Sequence, residues 1–376
     1  MTKKTFLILG ALALIAVILA VAATRGQPRV EATDQAGQVL FPRLVNDIDK
    51  LKSLVIKHGG ETMTIDWDGK TFRMRERGGY LVDPEKVQAV AVRLARLTKL
   101  ESKTKMPDRY DRLDLGDPSV KGGQATQLTL QDASGKALAD LIVGKRKFTL
   151  GGREGGTYVR FPGDPQTWLA LGELTVGSAA HDWLRGEIAD IKDSAIKRVT
   201  VTHANGEKII AVKGASGFTL ENMPKGMEMV TPSTAEDYAK LLDTLKLDDV
   251  AEGAKVTFPK DRTTTAVFEG VDGFQITLDM FDDNGKYWLR LKTTAAPTNK
   301  DGADKAETAK QIAELAARTE NWAYQVPQFA IVALTKSMSD ITKKPDAKGA
   351  PPPAPQGMPQ GMGLGGGLPP GFGVRP

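Results

Sequence analysis

The sequence predicts an α+β protein: two tandem repeats of an antiparallel sheet-plus-helix module behind an N-terminal transmembrane helix. Three observations predict it. Short runs of alternating apolar residues are punctuated by glycine-containing turns. A proline-started amphipathic segment follows each such set of runs. The whole pattern occurs twice, as two domains would in a chain of 376 residues.

After Met1-Thr-Lys-Lys-Thr comes "FLILGALALIAVILAVAA", 18 uncharged apolar residues from Phe6 to Ala23. As a helix this run reaches roughly 27 Å, close to the ~30 Å hydrocarbon core of a bilayer. Lys3 and Lys4 favour a cytoplasmic N-terminus, which places the body across the membrane; Arg25 and Arg29 weaken the asymmetry. Ala20-Val21-Ala22 also fits a signal-peptide cleavage site, although the run exceeds the ~7–15 residues of a signal core. Both readings export the body. The expected division is a stub and anchor (1–25), a linker (26–42), a first module (43–192), a second module (196–342) and a tail (343–376).

The first module opens with "LVIKHGGETMTIDWDGKTFRM" (54–74) and the second with "VTVTHANGEKIIAVKGASGFTL" (199–220). Each reads as a three-stranded meander. His58 and His203 fall at matching places before the first turn and read as turn residues, not ligands. A helix follows in each copy. Asp83 is the expected N-cap with Pro84 at the first helical position, and Thr231 and Pro232 take the same roles in the second copy. The apolar stripe is Val87, Val90, Leu94 and Leu97, matched at a constant offset by Ala235, Tyr238, Leu242 and Leu245.

Further strands come next. "TQLTL", "ADLIV", "TYVRF" and "TWLAL" answer "TAVFE", "FQITLDM", "YWLRL" and "NWAYQV". The second module carries an insertion at about 293–318, a polar loop that becomes an amphipathic helix with Ile312 and Leu315 inward. The tail is rich in Pro, Gly, Met and Gln and carries too little apolar surface to offset its ordering entropy, so disorder is expected there.

Composition narrows the chemistry. The absence of cysteine removes disulfides, thiolate metal sites and cysteine nucleophiles, and three scattered histidines make no His-rich site. Lys and Arg (51) nearly balance Asp and Glu (46), a mixed surface with no nucleic-acid footprint. "GKRKFTLGGREGGTYVRF" (144–161) looks like a phosphate cradle, yet a strand rather than a helix follows it, and no Lys-Ser or Lys-Thr closes a Walker pattern. Its glycines read as a hairpin connection at positive φ, equivalent to "DDNGK" in the second copy. Lys145, Arg146, Lys147 and Arg153 would form an exposed basic edge able to touch anionic lipid or polymer.

His181-Asp182 has no nucleophile in an elbow context. Asp248-Asp249 and Asp282-Asp283 read as turns, and the latter lacks the spacer and closing Glu of a calcium loop. No catalytic, cofactor or metal residue is assigned, and no cofactor is expected. Tyr158-Val159-Arg160 recurs as Trp288-Leu289-Arg290, and Trp168 recurs as Trp322. Arg160, Trp168, Trp288 and Arg290 are therefore candidate ligand or partner contacts in a groove between the modules. The alternative is that they fill equivalent positions in two cores.

"LFPRLVNDIDKLKSLVIKHGGETMTIDWDG", the Asp-Pro helix start, "YDRLDLGDPSV" and "DWLRGEIADI" together resemble the bacterial family called domain of unknown function 4340, over about residues 38–342. The resemblance implies a single-pass protein of the cytoplasmic (inner) membrane, anchored through residues 6–23 with its body in the periplasm. It further implies a non-enzymatic accessory protein of an ABC-type envelope transport system, with a permease or auxiliary subunit as partner. A cell-wall or exported-polymer binding module is the alternative, and an uncharacterised hydrolase the third reading.

Overall fold

The structure, a computed structural model, describes residues 36–150, 155–294 and 303–345. The expected anchor, the loop glycines Gly151 and Gly152, the start of the insertion and the tail from Asp346 onward lie outside the described residues. Among the described residues no helix is long and apolar enough to cross a membrane. The architecture is α+β, mostly antiparallel sheet with a few helices.

The first sheet follows a short helix, α1 (Leu44–Asp47). Its strands are β1 (Ser53–His58), β2 (Glu61–Trp67), β3 (Phe72–Met74), β4 (Tyr80–Leu81) and β5 (Thr98–Ser102). They are completed by β6 (Thr126–Gln131), β7 (Ala137–Lys147), β8 (Gly156–Arg160) and β9 (Thr167–Leu171). All nine pair antiparallel in the order β4-β3-β2-β1-β6-β7-β8-β9-β5. Alternation drives this: in β6 every second side chain is buried and the rest are half-exposed. One face is covered by α2 (Pro84–Arg96). The Asp83 carboxylate accepts from Glu85 N at 3.0 Å and Pro84 opens the helix, as expected. Val87, Val90 and Leu94 are buried, each such burial worth about 2 kcal/mol. Leu97 continues the stripe one residue past the helix end.

A short strand, β10 (Glu187–Ala189), leads into the second sheet. That sheet begins with β11 (Ile196–Thr202), β12 (Lys208–Gly214) and β13 (Gly217–Leu220). Two short strands follow, β14 (Glu228–Met229) and β15 (Leu245–Lys246), then β16 (Asp249–Glu252). The remaining strands are β17 (Thr264–Gly270), β18 (Gln275–Asp283), β19 (Lys286–Thr294), β20 (Trp322–Val326) and β21 (Thr342–Lys343). The second sheet has eight of them, in the order β13-β12-β11-β17-β18-β19-β20-β16. β14 pairs with β21 apart from it.

The second helix departs from expectation. α3 spans only Thr234–Ala239 and tightens to a 3₁₀ turn over Lys240–Leu242. Thr231 is not its cap. Thr234 N donates to Thr231 O, and the two threonine hydroxyls lie 2.9 Å apart, so residues 231–234 form a separate turn ahead of the helix. Pro232 therefore sits in that turn. Ala235, Tyr238, Leu242 and Leu245 are still all buried. The insertion forms α4 (Ala303–Thr319), and Ile312 and Leu315 are buried as its pattern predicts.

β10 pairs with β15, and Leu247 N donates to Gly186 O. The segment from Gly186 to Ile191, placed with the first module by its sequence, thus pairs with the second. Residues 37–40 do the same for the first sheet: Val39 bridges Thr98, and Leu40 N donates to Leu97 O. One continuous core joins the sheets, from Leu54, Ile56 and Leu141 to Val199, Phe268 and Leu278. At the junction the Tyr80 ring meets Trp322 and Tyr324 edge-on, at 4.9 and 6.1 Å.

Candidate functional site

The four candidate residues belong to two sheets, and the structure does not gather them into one groove. Arg160 and Trp168 lie on β8 and β9, Trp288 and Arg290 on β19. Each is held within its own unit.

Arg160 lines a cleft on the first sheet. Its guanidinium lies 4.6 Å from the centre of the Tyr110 ring. Nε and Nη2 donate to Leu115 O at 3.3 and 3.2 Å, and Nη2 also reaches Gly116 O at 3.4 Å. The Tyr110 hydroxyl donates to Pro165 O at 2.7 Å. These bonds fold residues 107–116 onto the outer face of the sheet, over a small second core of Tyr110, Leu115, Ala125 and Ile142. The segment approaches so closely that a Cβ on Gly144 would stand 2.1 Å from Leu113 O. Asp114 ends the 3₁₀ turn at φ 56°, the left-handed conformation that Asp adopts more readily than most residues. The resulting cleft holds about 630 Å³ and is lined by Tyr110, Asp111, Asp114, Asp117, Gln124 and Arg160.

Arg290 makes the corresponding arrangement on the second sheet. It stacks 4.4 Å from the Phe258 ring, and Nη2 lies 2.9 Å from Asp279 Oδ2. Asp279 also accepts from the Thr265 hydroxyl at 2.7 Å. In the register, Asp279 stands across from Arg290, whereas Ile142 stands across from Arg160. That difference explains why Arg160 turns to backbone carbonyls: no carboxylate stands across the strand from it. The Arg–aromatic stacks were not read from the sequence, because Tyr110 and Phe258 lie far along the chain from their arginines.

Trp168 is buried in the core, with Lys99 Nζ 4.5 Å from its ring. Trp288 is half-buried and registers with Phe281 and Gln325. Trp322 packs on Tyr80.

The other polar residues have local roles. His58 Nδ1 lies 3.0 Å from the Thr126 hydroxyl, and His203 Nδ1 lies 3.4 Å from that of Thr264. Both mark strand ends held to a neighbouring strand. Asp182 accepts from Ala179 N, and Trp183 beside it is buried with its indole N–H on Gly177 O. Asp249, expected in a turn, instead opens β16 and pairs with Arg77. Asn284 and Gly285 are both at positive φ and close the two-residue hairpin of β18 and β19 as expected. Gly155 and Gly156 correct the matching expectation for the first sheet: neither has positive φ. A Cβ on Gly156 would meet Leu150 at 2.7 Å and Ala170 O at 3.0 Å, so close approach requires glycine there.

Burial raises the pKa of the Tyr80, Tyr238 and Tyr324 hydroxyls. The Tyr238 hydroxyl is buried without a hydrogen-bond partner. Among the described residues no group of three or more His, Asp or Glu side chains is placed to hold a metal ion.

No curated protein and no solved structure matches the chain. A family model described as a domain of unknown function (DUF4340) matches residues 67–266, running from β2 of the first sheet into β17 of the second. That match covers more than half of the sequence and crosses the junction of the sheets, and on it the chain belongs to the DUF4340 family.

Proposed function

We propose that this protein is a non-enzymatic, membrane-anchored extracytoplasmic accessory subunit of an ABC-type envelope transport system. The observation that carries the reading is the apolar run Phe6–Ala23, one residue after Lys3 and Lys4, ahead of a body that has its own core. A single span would hold that body beside a permease in the cytoplasmic membrane. The end strand β13 of the second sheet offers a partner backbone groups for strand addition.

We read the two sheets as tandem copies of one module. Their matching strand orders support this, as do the paired histidines His58 and His203 and the Arg–aromatic stacks of Arg160 and Arg290. A second reading, a module that binds cell-wall or exported polymer, is favoured by the 630 Å³ cleft at Arg160.

The test is a pull-down of the tagged chain from cross-linked, detergent-solubilised membranes, read by mass spectrometry. An ABC permease and its ATPase should be recovered, and lost when residues 1–25 are replaced by a cleavable signal. Recovery of no transporter component, with the chain free in the soluble envelope fraction, would sink the reading.

A further inference from the structure

We infer that the end of β7 is a membrane-contact face for anionic lipid headgroups, with Phe148 as its apolar anchor. The inference rests on the anchored reading above.

Phe148 directly follows β7 and is 71% exposed, although it is one of the largest apolar side chains in the protein. It is not a free rotor: the Arg146 guanidinium lies 4.7 Å from its ring centre. Arg146 is itself fixed, ion-paired to Glu173 and directed at the Thr175 hydroxyl. Its charge is thereby neutralised, and its role is to hold the ring outward. The uncompensated charge belongs to Lys145 and Lys147, which make no ion pair with any described residue. An outward aromatic ring that follows two such lysines in the chain is the composition of an interfacial anchor. The ring enters the headgroup layer, while long lysine stems carry ammonium groups to the phosphates.

Geometry makes the contact reachable. Gly37 N donates to Lys99 O, Lys99 registers with Ala170, Ala170 with Thr157, and Thr157 with Arg146. One row across the sheet thus links the first described residues to the end of β7. At ~4.8 Å per strand that row is about 20 Å long. Residues 24–35 separate the apolar run from the described chain, and fully extended they span about 40 Å. A body tethered by that segment can lay the end of β7 on the bilayer from which the tether emerges. This favours lipid over a soluble anionic polymer, which would need neither the exposed ring nor the tether.

The absence of cysteine gives a clean probe. The full chain carrying Thr149→Cys is labelled with an environment-sensitive fluorophore and reconstituted into nanodiscs of neutral or partly anionic lipid. Phe329→Cys, at an 81% exposed phenylalanine of the second unit, is the control. In anionic discs, headgroup-spin-labelled lipid should quench the label at 149 roughly twofold. That quenching should fall when salt is raised from about 0.1 to about 1 M. Lys145→Glu/Lys147→Glu and Phe148→Ser should each abolish it, and the label at 329 should not respond. A label at 149 that stays unquenched in chains co-eluting with the discs overturns the contact face and leaves the anchor standing. Chains that do not co-elute with anionic discs overturn both. A label that answers only to added anionic polymer assigns the lysines to a polymer partner and overturns the lipid contact.

Discussion

Arg77 grips Asp249 across the junction of the two sheets, with Nε 2.5 Å from one carboxylate oxygen and Nη2 2.9 Å from the other. The two residues lie 172 positions apart, and both side chains are about 30% exposed. The fork matches both oxygens at once, a geometry that lysine cannot reproduce. The Asp249 hydrogen bond raises the Arg77 pKa further, so the guanidinium stays charged.

A double-mutant cycle of Arg77→Ala and Asp249→Ala should therefore return a coupling of about 1 kcal/mol, more than a typical exposed pair gives. Arg77→Lys should recover less than half of it. Chemical denaturation of the four chains measures the coupling. Additive single effects would show that the sheets are held by their shared core alone.

Tyr80 supplies the apolar half of the same junction. It is 2% exposed and packs edge-on against Trp322 and Tyr324. Tyr80→Ala removes a ring from between two others and should lower stability by about 3–5 kcal/mol. Tyr80→Phe should lower it by no more than about 1 kcal/mol, because the bond its hydroxyl donates to Arg185 O is a long 3.5 Å. A denaturation midpoint for Tyr80→Ala close to that of the unmodified chain would refute this.

The sheet was legible in the sequence where alternation is strict. β6 and β17, with every second side chain buried, coincide with "TQLTL" and "TAVFE". The stripe of α2 was equally legible, because periodicity reports burial without any need to know the partner. Three features were hidden. The start of α3 turns on whether a threonine hydroxyl bonds a backbone N–H or another threonine, and Thr231 chose Thr234. The pairing of β10 with β15 joins segments about sixty residues apart, which local pattern does not reveal. The cleft at Arg160 depends on which residue stands across the strand from each arginine, and that is a property of register. Glycine was legible as a turn signal at Gly285, but at Gly144 and Gly156 it serves close packing, and the letter is the same.

Gly144→Ala should be the most damaging of these glycine changes. The new methyl would lie 2.1 Å from Leu113 O and 3.0 Å from Asp114 O, both backbone atoms, so the 107–116 segment must lift off the sheet. The expected loss is about 1–3 kcal/mol, with faster hydrogen exchange at residues 107–116. Gly285→Ala, which meets nothing within 4 Å, should lose only about 1 kcal/mol through its positive φ. Equal losses would contradict the packing account of Gly144.

Arg160→Ala tests the cleft from the other side. It strips the hydrogen bonds from Leu115 O and Gly116 O and uncovers the Tyr110 ring. A loss of about 2 kcal/mol is expected, again with exchange at 107–116 rising first. Arg290→Ala should leave exchange at 107–116 unchanged, because its partners are Asp279 and Phe258. Parallel effects of the two substitutions on that segment would mean that the stacks are not independent.

Asp68 provides a pH test with a definite sign. Its carboxylate accepts from Arg73 Nε at 2.5 Å and from the backbone N–H groups of Lys70 and Thr71 at 2.8 Å. The Arg73 hydrogen bond, with the two turn N–H groups behind it, lowers its pKa from the ordinary 3.8 to about 2. A carboxyl depressed in the folded state contributes stability that is fully present above its unfolded pKa. That contribution is lost as pH falls from about 4 through about 2, where the folded group takes up its proton. Carbon-detected NMR titration should place the Asp68 carboxyl well below the ordinary 3.8. Arg73→Ala should move it up, since Arg73 is the largest cause. Asp68→Asn should flatten the fall in stability between pH 4 and pH 2, because no proton remains to be taken up there. An unchanged Asp68 titration in Arg73→Ala would show that the turn N–H groups alone set its acidity.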